Sequence, residues 1–180
     1  MRKINTILVL IIMLLLTDHI VFACMHLLGL NAGVLKPLAM MMMLFTVLHA
    51  IVSLIVTIRA EKVGINTKAR YSKENKGFWA RRVSGMFILV LALLHGYIMF
   101  KNEKGVPRIA SMPKVLSFAT PLLIIFILIH IMTNVKPLLI SLGVKNIDKK
   151  ERIIKLILTV FLLFALGSYI YFTVSRIRGN

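Results

Sequence analysis

The stretch VSGMFILVLALLHGYIMF, residues 83–100, contains eighteen consecutive residues with no charged side chain and a single histidine, His95. A helix of this length is about 27 Å long, close to the hydrocarbon thickness of a bilayer. Because only a helix or a closed barrel pairs every backbone group in lipid, the stretch predicts a transmembrane helix. It also places an imidazole in hydrocarbon, where ionisable side chains are rare and usually functional.

Four further apolar segments accompany this one along the chain. The 180 residues are 59% hydrophobic, and the mean hydropathy is +0.90. A soluble domain of this size cannot bury so much apolar surface, so lipid must be the solvent. We therefore predict an all-α integral membrane bundle, a single domain spanning residues 1–180. Its five transmembrane helices are expected at residues 4–28, 37–58, 83–100, 115–134 and 153–174.

The net charge of +17 is distributed unevenly between the loops. Two basic residues precede the first segment, eight lie in the second loop and six in the fourth, whereas the first loop, the third loop and the tail carry one, four and two. The positive-inside rule then places the N-terminus in the cytoplasm. We expect the protein to be a multi-pass protein of the cell inner (plasma) membrane. This topology, together with anionic lipid headgroups, accounts for the charge, so we expect a lipid bilayer and no nucleic acid as partner.

Histidine is the ionisable residue that recurs inside the apolar segments. All five histidines lie there: His19, His26, His49, His95 and His130. Histidine is a common axial ligand of haem iron, and four segments each carry at least one, so we predict bis-histidine haem b with these residues as candidate metal ligands. The one cysteine, Cys24, provides no CxxCH motif for covalent haem attachment. A histidine-lined metal or proton path, and hydrogen-bonded packing roles, are the alternatives.

Counting residues along each helix gives the depth of each imidazole. His19 and His95 lie roughly 20 Å and 18 Å from the cytoplasmic edge, whereas His49 and His130 fall in the inner half. Two pairs at two depths predict two haems. His26 follows His19 by seven residues, on the same face and about 10 Å farther out. Only one of the two can ligate the same iron, and His19 matches His95 better in depth.

The approach to the third helix carries a family resemblance. Residues 78–85 read FWARRVSG, and His95 follows Gly85 by ten residues. This pattern, over about 20 residues, resembles the membrane anchor cytochrome b of succinate dehydrogenase and fumarate reductase, although here two histidine-bearing helices precede the matching one. The resemblance implies that His95 binds haem and that Arg82, or Arg81 in its place, lies near a quinone or the haem propionates. The other interpretation of both arginines is as basic anchors at the membrane edge.

Helix geometry adds Ser84 to the candidate site. Ser84 and His95 are eleven positions apart, within about 20° on a helix, and Arg81 lies about 40° to the other side, so all three can face one cavity. Arg81, Arg82 and Ser84 are therefore the candidate cofactor-binding residues.

The expected function is electron transfer between the quinone pool and a cytoplasmic redox partner. The resemblance implies separate flavoprotein and iron–sulfur subunits, and the chain itself has no Gly-rich nucleotide motif or cysteine cluster. The subunit is then either a non-catalytic anchor or quinone-reactive. The basic second loop is expected to steer an acidic partner. The alternative is a haem-free small membrane transporter or assembly protein. A cation transporter would lack its usual oxygen ligands, because Asp18 is the only carboxylate within the apolar segments.

Local signals predict where the fourth helix bends and where it ends. Pro121 is expected to kink it, Pro137 to follow its end, and Gly143 with Asn146 to form the turn before helix five. At the other end of the chain, Val21–Cys24 loosely resembles a lipidation box, but Asp18 and His19 interrupt the apolar run, which disfavours cleavage there.

Overall fold

The computed structural model describes residues 2–27, 34–66, 76–101 and 118–178, and these residues form long α-helices. The helices are α1 (Arg2–Leu27), α2 (Leu35–Asn66), α3 (Lys76–Lys101), α4 (Ala119–Ser141) and α5 (Ile147–Arg178). All five are long and apolar enough to cross a membrane. The prediction of an all-α chain with five such helices is confirmed, and the protein is a multi-pass membrane protein.

Several helices continue beyond the segments predicted from hydropathy. α2 runs to Asn66 instead of 58, α3 begins at Lys76 instead of 83, and α5 begins at Ile147 instead of 153. Hydropathy marks where the hydrocarbon ends, whereas backbone hydrogen bonding continues into the polar region. The added turns therefore carry the basic and polar residues that flank each span.

The first four helices form a ring. α1 packs against α2, α2 against α3, and α3 most extensively against α4, while α4 touches α1 to close the ring. α1 and α3 thus face each other across one diagonal, and α2 and α4 across the other. α5 lies outside, against α4 and α1. Consecutive helices are antiparallel, so α1, α3 and α5 begin at the same end of the bundle, here named the N-terminal end.

Hydrogen bonds between helices confirm this alignment at the N-terminal end. Ser53 Oγ of α2 donates to Asn5 Oδ1 of α1 at 3.2 Å. Thr6 Oγ1 of α1 lies 3.2 Å from Ser141 Oγ at the end of α4. These contacts place the start of α1 beside the C-terminal half of α2 and beside the end of α4.

Buried apolar side chains are concentrated away from α2. One cluster joins α1, α4 and α5, and a smaller one joins α3 and α4. The members are Ile20, Cys24, Ile131, Val135, Leu139, Leu162 and Ala165 in the first, and Leu91, Ala119 and Leu123 in the second. None of the described side chains of α2 is buried. Large exposed hydrophobic residues cover the outside of every helix, as expected of a surface that contacts lipid.

The turn between α4 and α5 matches its prediction. Gly143 and Asn146 have φ of 69° and 56°, in the left-handed region that glycine and asparagine tolerate best. The Gly143 N–H donates to the Ile140 carbonyl and the Val144 N–H to the Leu139 carbonyl, each at 3.1 Å. This is a Schellman motif, which satisfies the carbonyls left over at a helix end.

Both proline predictions for α4 were wrong. α4 begins at Ala119, so Pro121 lies in its first turn. The N–H groups of the first turn have no helical partner, so the proline removes no helical hydrogen bond, and there is no preceding turn that it could kink. Pro137 lies inside the helix, which continues to Ser141. A proline there removes the donor for the carbonyl four residues earlier, that of Thr133. Nη1 of Arg81 lies 3.5 Å from this carbonyl oxygen and donates to it.

Candidate functional site

Each helix of the ring contributes one histidine that faces a histidine of the diagonal helix. His19 of α1 and His95 of α3 lie within electrostatic range of each other, and so do His49 of α2 and His130 of α4. Diagonal helices are separated by their neighbours, so imidazoles that approach each other in this way must point toward the bundle axis. The four side chains are half-buried.

The two pairs lie at different levels along the bundle. The distance between the levels can be taken along α3. His95 of α3 lies at one level, and Ser84 of α3 lies at the other, because its Oγ is 3.0 Å from Nδ1 of His130. Eleven residues of helix correspond to about 16 Å. His49 and His130 form the pair closer to the N-terminal end, named the near pair; His19 and His95 form the far pair.

Ser84 anchors His130 against α3. It is only 2% exposed, and its hydroxyl donates to the Ala80 carbonyl at 2.6 Å, within its own helix. The next residue, Gly85, lets the two helices approach closely: a Cβ added there would lie 3.4 Å from Cε1 of His130. The imidazole therefore packs directly on the backbone of α3.

His95 has an equivalent partner at the far level. Its Nδ1 lies 2.9 Å from Oγ1 of Thr120, the second residue of α4. The arrangement is reciprocal, since α3 supplies the hydroxyl for the histidine of α4 and α4 supplies the hydroxyl for the histidine of α3. Sequence reasoning missed Thr120. Counting residues along the helices predicts that Thr120 is level with His95. It does not predict that Thr120 lies on the side of α4 that faces α3.

The other two imidazoles lack such support. Nδ1 of His19 and Nδ1 of His49 are both buried without a hydrogen-bond partner. A buried polar atom left unpaired costs about 1–3 kcal/mol. Such atoms are uncommon in folded proteins, and binding of a ligand or an ion close to the atom can compensate for the missing partner.

The two arginines at the start of α3 point in different directions. The Arg82 guanidinium lies 3.2 Å from the ring centroid of Phe78, and its Nε donates to Thr57 Oγ1 at 3.1 Å, so it faces α2. Arg81 faces α4 and lies within electrostatic range of His130. The resemblance favoured Arg82 as the residue near the cofactor, with Arg81 as the substitute; in this fold Arg81 is the one beside the near pair.

His26 and Asp18 flank the far pair on α1. His26 lies seven residues beyond His19, next to the last residue of the helix, Leu27, and Asp18 directly precedes His19. Both are half-buried. Within the described parts of the chain, no group of three or more His, Cys, Asp or Glu side chains is positioned to hold a metal ion.

Haem iron requires only two protein ligands, because the porphyrin supplies the other four. The two facing imidazoles of each pair meet that requirement. The buried nitrogen without a hydrogen-bond partner in each pair, and the glycine beside one ring, are also compatible with a bound group. The donor set of each pair therefore fits a haem.

Comparisons of the chain with protein-family models, with curated proteins and with solved structures found no match.

Proposed function

We propose that this protein is a membrane cytochrome b that binds two b-type haems, one between His19 and His95 and one between His49 and His130. The observation that carries the proposal is the pairing of imidazoles across both diagonals of the ring, at two levels about 16 Å apart. Bound haem would supply one-electron redox chemistry, while the protein supplies ligands, burial and charge.

The residues around each pair have distinct tasks in this proposal. Ser84 and Thr120 hold the imidazoles of α4 and α3 at their Nδ1 atoms. The apolar helices exclude water from the bundle. Arg81 places a guanidinium beside the near pair, where it can pair with a carboxylate such as a haem propionate.

The orientation of the two pairs in the membrane follows from the charge distribution. The N-terminal end carries the more basic loops, so the positive-inside rule assigns this end, and with it the near pair, to the cytoplasmic side of the plasma membrane. Two haems at two levels would connect a cytoplasmic redox partner with quinone in the bilayer. The resemblance of residues 78–95 to the anchor cytochromes of succinate dehydrogenase and fumarate reductase supports flavoprotein and iron–sulfur subunits as that partner.

Haem content tests the proposal directly. The full-length chain, expressed with ample haem and purified in detergent, should give about two haems per polypeptide in a pyridine haemochrome assay. Its reduced-minus-oxidised spectrum should show b-type bands. The matched control replaces His19, His49, His95 and His130 with alanine and should contain none.

A ratio near zero for the wild-type chain would contradict the cytochrome proposal and leave the haem-free transporter or assembly protein. A ratio near one would mean that only one of the two pairs binds haem.

A further inference from the structure

The hydroxyl of Ser84 has only one proton, and the distances from its oxygen to the Ala80 and Arg81 carbonyls, 2.6 Å and 3.3 Å, indicate that the proton goes to Ala80. Ser84 Oγ lies 2.6 Å from the Ala80 carbonyl, which can only accept. Ser84 is nearly fully buried, so water does not compete for the hydroxyl. With its proton donated to Ala80, the oxygen can act only as an acceptor toward His130.

His130 must then carry its proton on Nδ1. The 3.0 Å separation between Ser84 Oγ and His130 Nδ1 is a hydrogen bond only if one of the two atoms donates, and Ser84 has no proton left. A neutral imidazole protonated on Nδ1 has its lone pair on Nε2. Ser84 thus determines which ring nitrogen is free.

We propose that Ser84 is a positioning residue that fixes His130 in the Nδ1–H tautomer, so that Nε2 is the atom presented to the bundle axis. Thr120 has the corresponding role of orienting His95 through its Nδ1. The consequence for metal binding rests on the proposed function, because a neutral imidazole coordinates through its unprotonated nitrogen. The hydrogen bond from Nδ1 also increases the basicity of the ligand.

The tautomer can be measured without reference to haem. The full-length chain, labelled with ¹⁵N-histidine and produced without a haem supply, would be reconstituted in lipid nanodiscs at alkaline pH. Long-range ¹H–¹⁵N spectra distinguish the two tautomers, and His130→Gln assigns the signal. We expect His130 to be protonated on Nδ1 in the wild type and to shift toward the Nε2–H form in Ser84→Ala.

Thr46→Val is the matched control, since the Thr46 hydroxyl also donates to a carbonyl of its own helix, that of Met42 at 2.8 Å. It should leave the His130 spectrum unchanged. A wild-type His130 protonated on Nε2, or a tautomer that Ser84→Ala does not alter, would overturn the proposal.

The haem-loaded chain gives a second measurement. Loss of a partner that orients a metal ligand typically weakens metal binding about 10–100-fold. Ser84→Ala should weaken retention of one haem to this extent and raise the midpoint potential of that haem alone, because a less basic ligand stabilises ferric iron less. Thr120→Val should affect the other haem, and Thr120→Ser should restore it. If Ser84→Ala and Thr120→Val change the same haem, or neither, the positioning roles are wrong.

The two failures are distinguishable. A chain that never contains haem would refute the proposed function, whereas the tautomer measurement would still decide the role of Ser84.

Discussion

Removal of one histidine from a pair should release one haem and leave the other in place. In His130→Ala the haem-to-polypeptide ratio should fall from about two to about one, because a bis-histidine iron retains its position poorly with one axial ligand. The remaining pair lies about 16 Å away along the bundle, beyond direct contact with the altered side chain. Its haem should keep its spectrum and midpoint potential.

Double variants test the pairing itself. His49→Ala combined with His130→Ala should still leave one haem, since both residues belong to the near pair. His95→Ala combined with His130→Ala should leave none, since one ligand is lost from each pair. Residues that share one partner give non-additive effects, whereas residues at separate sites give additive ones.

The assay is pyridine haemochrome content together with a potentiometric titration, and circular dichroism shows that each variant remains helical. His26→Ala serves as the control on α1 and should retain both haems. If the His49/His130 double variant contained no haem, or the His95/His130 variant retained one, the pairing across the diagonals would be refuted. If His26→Ala released a haem and His19→Ala did not, the ligand on α1 would be His26.

Three further predictions concern the surroundings of the near pair and the cytoplasmic loop. Arg81→Ala should lower the free energy of unfolding of the otherwise unchanged chain by on the order of 1 kcal/mol, because the Thr133 carbonyl loses its donor. The loss should be smaller in a Pro137→Ala background, where residue 137 regains an N–H for that carbonyl. Equal losses in the two denaturation series would contradict this. Gly85→Ala should keep the near haem, because its Cβ would make an ordinary contact at 3.4 Å, whereas Gly85→Leu should displace the His130 ring and lose that haem, as measured by haem content. Neutralising four basic residues of the second loop, whose side chains lie outside the described residues, should slow electron transfer from an acidic partner most strongly at low salt, without changing haem content. A rate that is unchanged at every salt concentration would exclude docking there. The loop residues to replace are Lys68, Arg70, Lys73 and Lys76.

Hydrophobic length was sufficient to predict the number of spanning helices. Whether a segment crosses a bilayer depends mainly on how many apolar residues follow one another, which is a property of the sequence alone. The ends of the helices were less predictable, because α2, α3 and α5 continue into polar sequence where hydropathy no longer reports on backbone structure. Pro137 was misjudged for a related reason. A lost helical bond can be compensated by a side chain from another helix, here that of Arg81.

The depth of each histidine could be estimated by counting residues, but not the direction in which it points. The facing of Thr120 and His95 depends on the rotation of α3 against α4, which no local pattern encodes. The choice between Arg81 and Arg82 had the same limit. Consecutive helical residues point about 100° apart, so packing against α4 on one side and α2 on the other decides which arginine approaches the histidines.

The hydrogen bonds divide the ring into two halves with different properties. α3 and α4 form the most extensive interface and support each other's imidazoles with Ser84 and Thr120, whereas His19 of α1 and His49 of α2 have Nδ1 atoms without a partner. Each pair therefore combines one imidazole that is held by a hydrogen bond at Nδ1 with one that has no hydrogen bond at Nδ1. In the proposed function, the α3–α4 half would define where each iron lies, and the imidazoles of α1 and α2 would adjust to complete the coordination. Loss of Ser84 or Thr120 should then disturb haem position more than any change to the hydrogen bonding of His19 or His49.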